Sequence, residues 1–400
     1  TFSSSITSLF INITLAGTNQ TPDLNPFLKK EKEGVMICER DDFSLTGPLH
    51  LTAIDWANEH HRRSVAASLV QGIYVAERDR QLQRDGPELA LSPKWSEYFH
   101  FRLIRKLVDD ADFSIFGGIY EYKPPQQKQP SSHHTFKSME LSPRYVIAFR
   151  GTVTKADSIS RDMELDLHII KNGLHTTTRF EIAIQAVRSI VASVGATNVW
   201  PAGHSLGASM ALLTGKTIAR TGVFPECFAF NPPFLSPPIE RIKDKRIKHG
   251  IRIAGSVITA GLALAKKATQ QHSQNRLALP ALPAPPDPFT ALSDWFPRLY
   301  VNPGDHLCSE YRGYFEHRNK MEELGVGFVE RLATQNSLGG LLVDIVGGGK
   351  NTEGPVHLIP SSVLTVNRSP SRDFKEAHGI HQWWKEDHSR FETKIYKYNH

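Results

Sequence analysis

A serine framed by glycines, Gly203-His204-Ser205-Leu206-Gly207, is the segment of this 400-residue chain best suited to covalent chemistry. A Gly-x-Ser-x-Gly pentapeptide holds its serine on a tight strand-to-helix turn, from which the hydroxyl can attack an acyl carbon. Glycine at both ends removes side chains that would collide in that turn. The alanine-rich stretch from Leu206 to Arg220 reads as a helix that begins directly behind the serine. Its first N–H groups and positive dipole end face the oxygen on which negative charge develops. The pentapeptide alone is weak: with 28 glycines in the chain, chance supplies one in roughly every ten such sequences. Context carries it, because the β-like run Asn198 to Ala202 stands before it and the helix after it. His204 adjoins the serine but is directed away from it by the turn, and is read as a packing residue.

A serine nucleophile needs a base, and the base needs an orienting group. Asp305, in Asn302-Pro303-Gly304-Asp305, follows the apolar run Arg298 to Val301. An acid just past the carboxyl end of a strand, downstream of the serine, suits the orienting role. Pro-Gly-Asp is also ordinary turn chemistry. Downstream histidines are His306, His317, His357, His378, His381, His388 and His400, and residue type alone does not choose among them.

The elements that must hold these groups follow from apolar periodicity. Ala53 to Lys106 reads as helical, with Val65, Leu69, Ile73 and Val75 at helical spacing. Asp112 to Tyr122 reads as a strand or hairpin, and Lys123 to Ser138 as a polar loop. Arg144 to Arg150 fits a buried strand of a parallel sheet. Phe180 to Val194 repeats Ile182, Ala186, Ile190 and Val194 at helical spacing and stops at Gly195. Cys227 to Phe230 and Arg298 to Val301 are further strands. Strands alternating with helices predict an α/β architecture, a doubly wound, mostly parallel sheet with flanking helices. Residues 1–35 carry no packing pattern and are expected as an N-terminal extension, 36–390 as one domain, and 391–400 as a C-terminal tail.

Composition bounds the function. The chain is 40% hydrophobic and 22% charged, with a net charge of +6, which is globular and too evenly spread for a nucleic-acid binder. Three cysteines, Cys38, Cys227 and Cys308, form neither a disulfide framework nor a metal motif, so a reducing, cytoplasmic setting is expected, and the acyl-enzyme route through a serine needs no metal or cofactor. The apolar run Ile253 to Ala265 falls short of the about 18 residues a bilayer span needs. No basic segment precedes Leu9 to Gly17, so a secretory signal is not expected there.

Taken together, Ala148-Phe149-Arg150-Gly151-Thr152, Gly203-His204-Ser205-Leu206-Gly207 and Tyr300-Val301-Asn302-Pro303-Gly304-Asp305 resemble the class 3 lipases. Within them, the chain is similar to a plant subgroup of α/β-hydrolase lipase-like proteins often labelled "GDSL esterase/lipase", over about Leu45 to Trp384. No Gly-Asp-Ser-Leu block exists in this sequence. The resemblance implies the α/β-hydrolase fold, hydrolysis of carboxylic esters of acyl lipids, Ser205 as nucleophile and Asp305 as orienting acid. It also implies an oxyanion hole from Thr152 and the backbone N–H of Leu206. The family carries its histidine late, before aromatics, which favours His378 in Ala377-His-Gly-Ile-His-Gln-Trp-Trp384, with His381 and then His357 as alternatives. Two departures stand out: Pro201 removes a ladder donor from the strand before the serine, and Ala208 replaces a glycine.

Residues 234–296 break the strand–helix rhythm and read as an insertion. Within it, Ile251 to Ala265 forms a mostly apolar helix with Arg252, Ser256 and Thr259 on one face, either a lid over the acyl chain or a core helix. Lys243, Lys245, Arg246 and Lys248 beside it favour peripheral contact with anionic membrane surfaces. Gly339 to Pro360 reads as a flexible loop. Other readings of the same residues are a thioesterase or acyltransferase, or a binding scaffold on a hydrolase fold. Nothing in the sequence bears on oligomeric state.

Overall fold

The computed structural model describes residues 38–124, 138–152, 174, 177–234, 252–253, 290–325, 356–387 and 389–398, and the backbone of 30–32 and 35–37. Two short strands, β1 (Lys30–Lys32) and β2 (Val35–Ile37), pair antiparallel ahead of the main body. Helix α1 (Glu59–Gln81) follows, its first turn capped by the Asn58 carboxamide, which accepts from the His60 N–H. Strands β3 (Phe101–Val108), β4 (Ile115–Tyr122) and β5 (Tyr145–Phe149) come next. The chain continues through α2 (Thr178–Val194), β6 (Val199–His204), α3 (Leu206–Ala219) and β7 (Phe228–Phe230). It closes with β8 (Arg298–Val301), α4 (Glu310–Glu323), β9 (Ser362–Asn367), the single turn α5 (Phe374–His378) and β10 (Phe391–Tyr396).

One eight-stranded sheet runs β10-β9-β8-β7-β6-β5-β4-β3. Strands β5 to β9 are parallel, while β3, β4 and β10 join antiparallel at the margins. The central strands alternate strictly between two cores. Val146 and Ala148, Trp200 and Ala202, Phe228 and Phe230, and Tyr300 face the core that α1 covers. Ile147 and Phe149, Val199, Ala229, and Leu299 and Val301 face the other, covered by α2, α3 and α4. This follows from the two-residue period of a strand, and it explains why these segments read as continuous apolar runs. Each fully buried large side chain, such as Trp200, Phe228 or Tyr300, contributes about 1.5–3 kcal/mol by leaving water.

The doubly wound, mostly parallel sheet expected from the sequence is therefore present, with corrections at its margins. Helix was expected through Lys106, but the chain is strand from Phe101. Arg102, Arg105 and Lys106 interrupt the apolar spacing, and β3 is an edge strand that presents them to water. The expected tail 391–400 contains β10, paired with β9 from Phe391↔Asn367 to Tyr396↔Ser362. In α2 the buried side chains are Phe180, Ala183, Ile184, Ala186 and Val187, whereas Ile182, Ile190 and Val194 are only partly buried. Of the insertion 234–296, residues 235–251 and 254–289 lie outside the described residues, as does the lid or core helix reading. Arg252, at its edge, donates to Glu310 at 2.6 Å. Residues 339–355 also lie outside them, while Val356 to Pro360 are turn and irregular chain, as expected of a loop, but buried. Among the described residues no helix is long and apolar enough to cross a membrane.

Candidate active site

Ser205 links β6 to α3 in a backbone conformation that few L-residues adopt, φ +55° and ψ −125°. Such strain persists only where surroundings enforce it. Here the Ser205 N–H donates to the Phe230 carbonyl at 3.0 Å, and the Ser205 carbonyl accepts from Ala208 and Ser209. The flanking glycines are sterically required. A methyl group on Gly203 would lie 2.0 Å from the Gly207 carbonyl oxygen, and one on Gly207 would lie 2.3 Å from that of Phe149. Ala208 is buried without distortion of the helix start. Pro201 pairs with Ile147 of β5, and the ladder to β7 opens only one residue later, at Ala202↔Phe228. A strand-to-helix elbow is expected to expose its serine, but Ser205 is 6% exposed. It stands close to Gly151: a methyl group there would sit 2.9 Å from the Ser205 Cβ.

Thr152 follows Gly151 at the carboxyl end of β5, and Leu206 is the first residue of α3. The first N–H groups of a helix have no partner inside it, so the Leu206 amide is suited to an oxyanion beside Ser205.

Asp305 is fully buried in the turn after β8. Its Oδ2 accepts from His378 Nδ1 at 2.8 Å, from Asn231 Nδ2 at 2.7 Å and from the Cys308 thiol at 3.2 Å, and its Oδ1 from the Leu307 N–H at 3.0 Å. Burial alone would raise the carboxyl pKa. The His378 ring and these donors outweigh it and hold the acid below its ordinary value, so it is ionised. His378, at the end of α5, therefore carries its proton on Nδ1, which leaves Nε2 as the basic nitrogen. Phe374 stacks on the ring at 5.3 Å.

The other histidines stand elsewhere. His381 packs edge-on to Trp384 and His357 against Phe234, and the Nδ1 of each has no hydrogen-bond partner among the described residues. His306 packs against Phe374, and His317 lies on α4. His388 and His400 lie outside the described residues. His204 corrects the sequence reading, because it is not merely packed. Its Nδ1 meets the Tyr74 hydroxyl at 2.9 Å and its Nε2 meets the His378 carbonyl at 2.7 Å.

Residue patterns also missed Asn231. It sits directly after β7 with φ +49°, a conformation asparagine tolerates better than most residues. Its carboxamide donates to Asp305 and to the Ala377 carbonyl, and accepts from Trp383 Nε1. Its place at the carboxyl end of a central strand was the available signal. Among the described residues no group of three His, Cys, Asp or Glu side chains is placed to hold a metal ion.

Burial gives the protein a measurable acid sensitivity. Burial foremost drops the pKa of His204 and of His357 to about 3, with His378 and Lys216 adding to it respectively. The unfolded chain binds these protons near pH 6.5 and the native chain does not, so stability falls as pH drops below about 6.5. The slope is at most about 1.4 kcal/mol per ring per pH unit. Urea midpoints should decline steadily from pH 7 to pH 5, above the carboxylate range, and His357→Phe should flatten that decline. A midpoint constant over this interval would contradict the assignment.

Comparison with known proteins adds two findings. Residues 146–239, from β5 through the serine elbow to just past β7, match the family Lipase (class 3). A protein of Arabidopsis thaliana described as "GDSL esterase/lipase At4g10955" is 82% identical over 364 residues, which cover 91% of this chain and all of that protein.

Proposed function

Because this chain belongs to the class 3 lipases, carboxylic-ester hydrolases built on the α/β-hydrolase fold, we propose that it cleaves acyl-lipid esters through Ser205, His378 and Asp305. The observation that carries this reading is the 2.8 Å contact between His378 Nδ1 and the buried Asp305, at the carboxyl end of the strands beside the Ser205 elbow. His378 Nε2 takes the Ser205 proton as Oγ attacks the ester carbon. The carbonyl oxygen becomes an oxyanion, met by the Leu206 N–H and by Thr152. Collapse of the tetrahedral species breaks the ester bond, and the imidazolium returns the proton to the leaving alkoxide. Water, deprotonated by the same nitrogen, then releases the acid from the acyl-enzyme and restores Ser205. Asp305 keeps the tautomer and stabilises the imidazolium.

The test is a p-nitrophenyl ester series of rising acyl length, assayed beside the matched thioesters, with fluorophosphonate labelling of the same samples. Ester turnover with stoichiometric labelling is expected. No turnover and no labelling by a folded sample would leave the scaffold reading, and preference for thioesters would shift the reaction class.

A further inference from the structure

Four groups around the site form one directed chain of hydrogen bonds, and its polarity is determined by a single acceptor. The His378 backbone carbonyl can only accept, so His204 Nε2, 2.7 Å away, must carry a proton. His204 is buried at 6% exposure, and burial keeps its ring neutral at ordinary pH. Its Nδ1 is therefore bare and accepts. The partner at 2.9 Å is the Tyr74 hydroxyl, which must donate. The same oxygen accepts from the Gly151 N–H at 2.7 Å. With a neutral ring, this assignment satisfies all three contacts.

We infer that Tyr74 and His204 are positioning residues that lock the base-bearing turn at His378 to the strand end at Gly151 and Thr152. The inference rests on the Ser205, His378 and Asp305 reading above. Three elements distant in sequence meet here: α1 supplies Tyr74, the elbow supplies His204, and α5 supplies the His378 carbonyl. The Gly151 amide fixes where the next residue, Thr152, stands relative to Ser205. The His378 carbonyl fixes the main chain from which the basic ring projects, while Asp305 fixes the ring itself. Proton acceptor and oxyanion donor are thus tied to one chain of hydrogen bonds. Space enforces the same link, since a methyl group on Gly151 would lie 2.7 Å from the Tyr74 hydroxyl and 3.0 Å from the His204 carbonyl oxygen. Neither Tyr74 nor His204 exchanges a proton with substrate in this account.

Two measurements test it. In the wild-type protein, nitrogen-15 NMR of histidine should find, among the rings that do not titrate between pH 5.5 and 8, one protonated on Nε2 only whose signal vanishes in His204→Gln. An Nδ1-protonated or titrating His204 would overturn the inference without any need for a folded variant. Tyr74→Phe keeps the ring and removes only the hydroxyl. Its rate of fluorophosphonate labelling and its kcat, per folded molecule, should fall about 10- to 100-fold, the scale expected of small misplacement, with KM nearly unchanged. A purely structural role would lower the melting temperature and leave the rate per folded molecule at the wild-type value, which would sink the inference while Ser205 still labelled. An unlabelled wild type would remove the reading on which it rests.

Discussion

Ser205→Ala should lower ester hydrolysis by about six orders of magnitude, the scale seen when a triad nucleophile is lost. The fold should persist. The bonds that hold the elbow, from the Ser205 N–H to Phe230 and from Ala208 and Ser209 to the Ser205 carbonyl, are backbone bonds that alanine keeps. The side chain lost is a single hydroxyl in a buried site, so the melting temperature should move little. A fluorophosphonate probe followed by intact mass should add to the wild type and not to the variant. Equal labelling of both would move the nucleophile elsewhere.

His378→Gln should be almost as damaging, because a triad without its base retains only oxyanion-hole and binding catalysis. Glutamine can still donate to Asp305, so the buried carboxylate keeps a partner and the loss should appear in kcat rather than in folding. His381→Gln provides the contrast. That ring packs against Trp384 and does not touch Asp305, so its replacement should cost less than about tenfold. An inactive His381→Gln beside an active His378→Gln would transfer the base by three positions. Two active variants would turn attention to His357, whose ring lies against Phe234.

The parts of this protein that could be read in advance are those with a local cause. The buried runs at Arg144 to Arg150 and Arg298 to Val301 are apolar because a central strand is covered on both faces, and both emerge as strands. The elbow is legible because Gly203 and Gly207 have no room for a side chain. Helix α4 escaped notice because Glu310 to Glu323 is rich in Glu, Arg and Lys, and hides its buried face in Tyr311, Phe315 and Met321. Strands β9 and β10 were missed because their register comes from each other, through pairs such as Thr365↔Thr393, rather than from a pattern in either segment. Tyr74 had no signal at all. Within α1 it is one apolar position among many, and the partners of its hydroxyl, His204 and the Gly151 N–H, come from distant segments.

The order in which the site is threaded also sets when chemistry can begin. The elbow lies near the middle of the chain, whereas the base-bearing turn is held by contacts that span nearly all of it: Arg63 Nε donates to the Trp383 carbonyl, and Trp384 Nε1 to that of Thr46. As a nascent chain leaves the ribosome, α1, β5, β6 and α3 can dock early, with Ser205 already on its turn. His378 follows much later, and its turn can settle only after Ile380 to Trp384 have reached α1. Contacts of such separation form slowly and near the end of folding. A half-made molecule would thus hold Ser205 before His378, its proposed base, has arrived. Under the proposed triad, ester turnover would begin only once Phe374 to Trp384 had docked against α1.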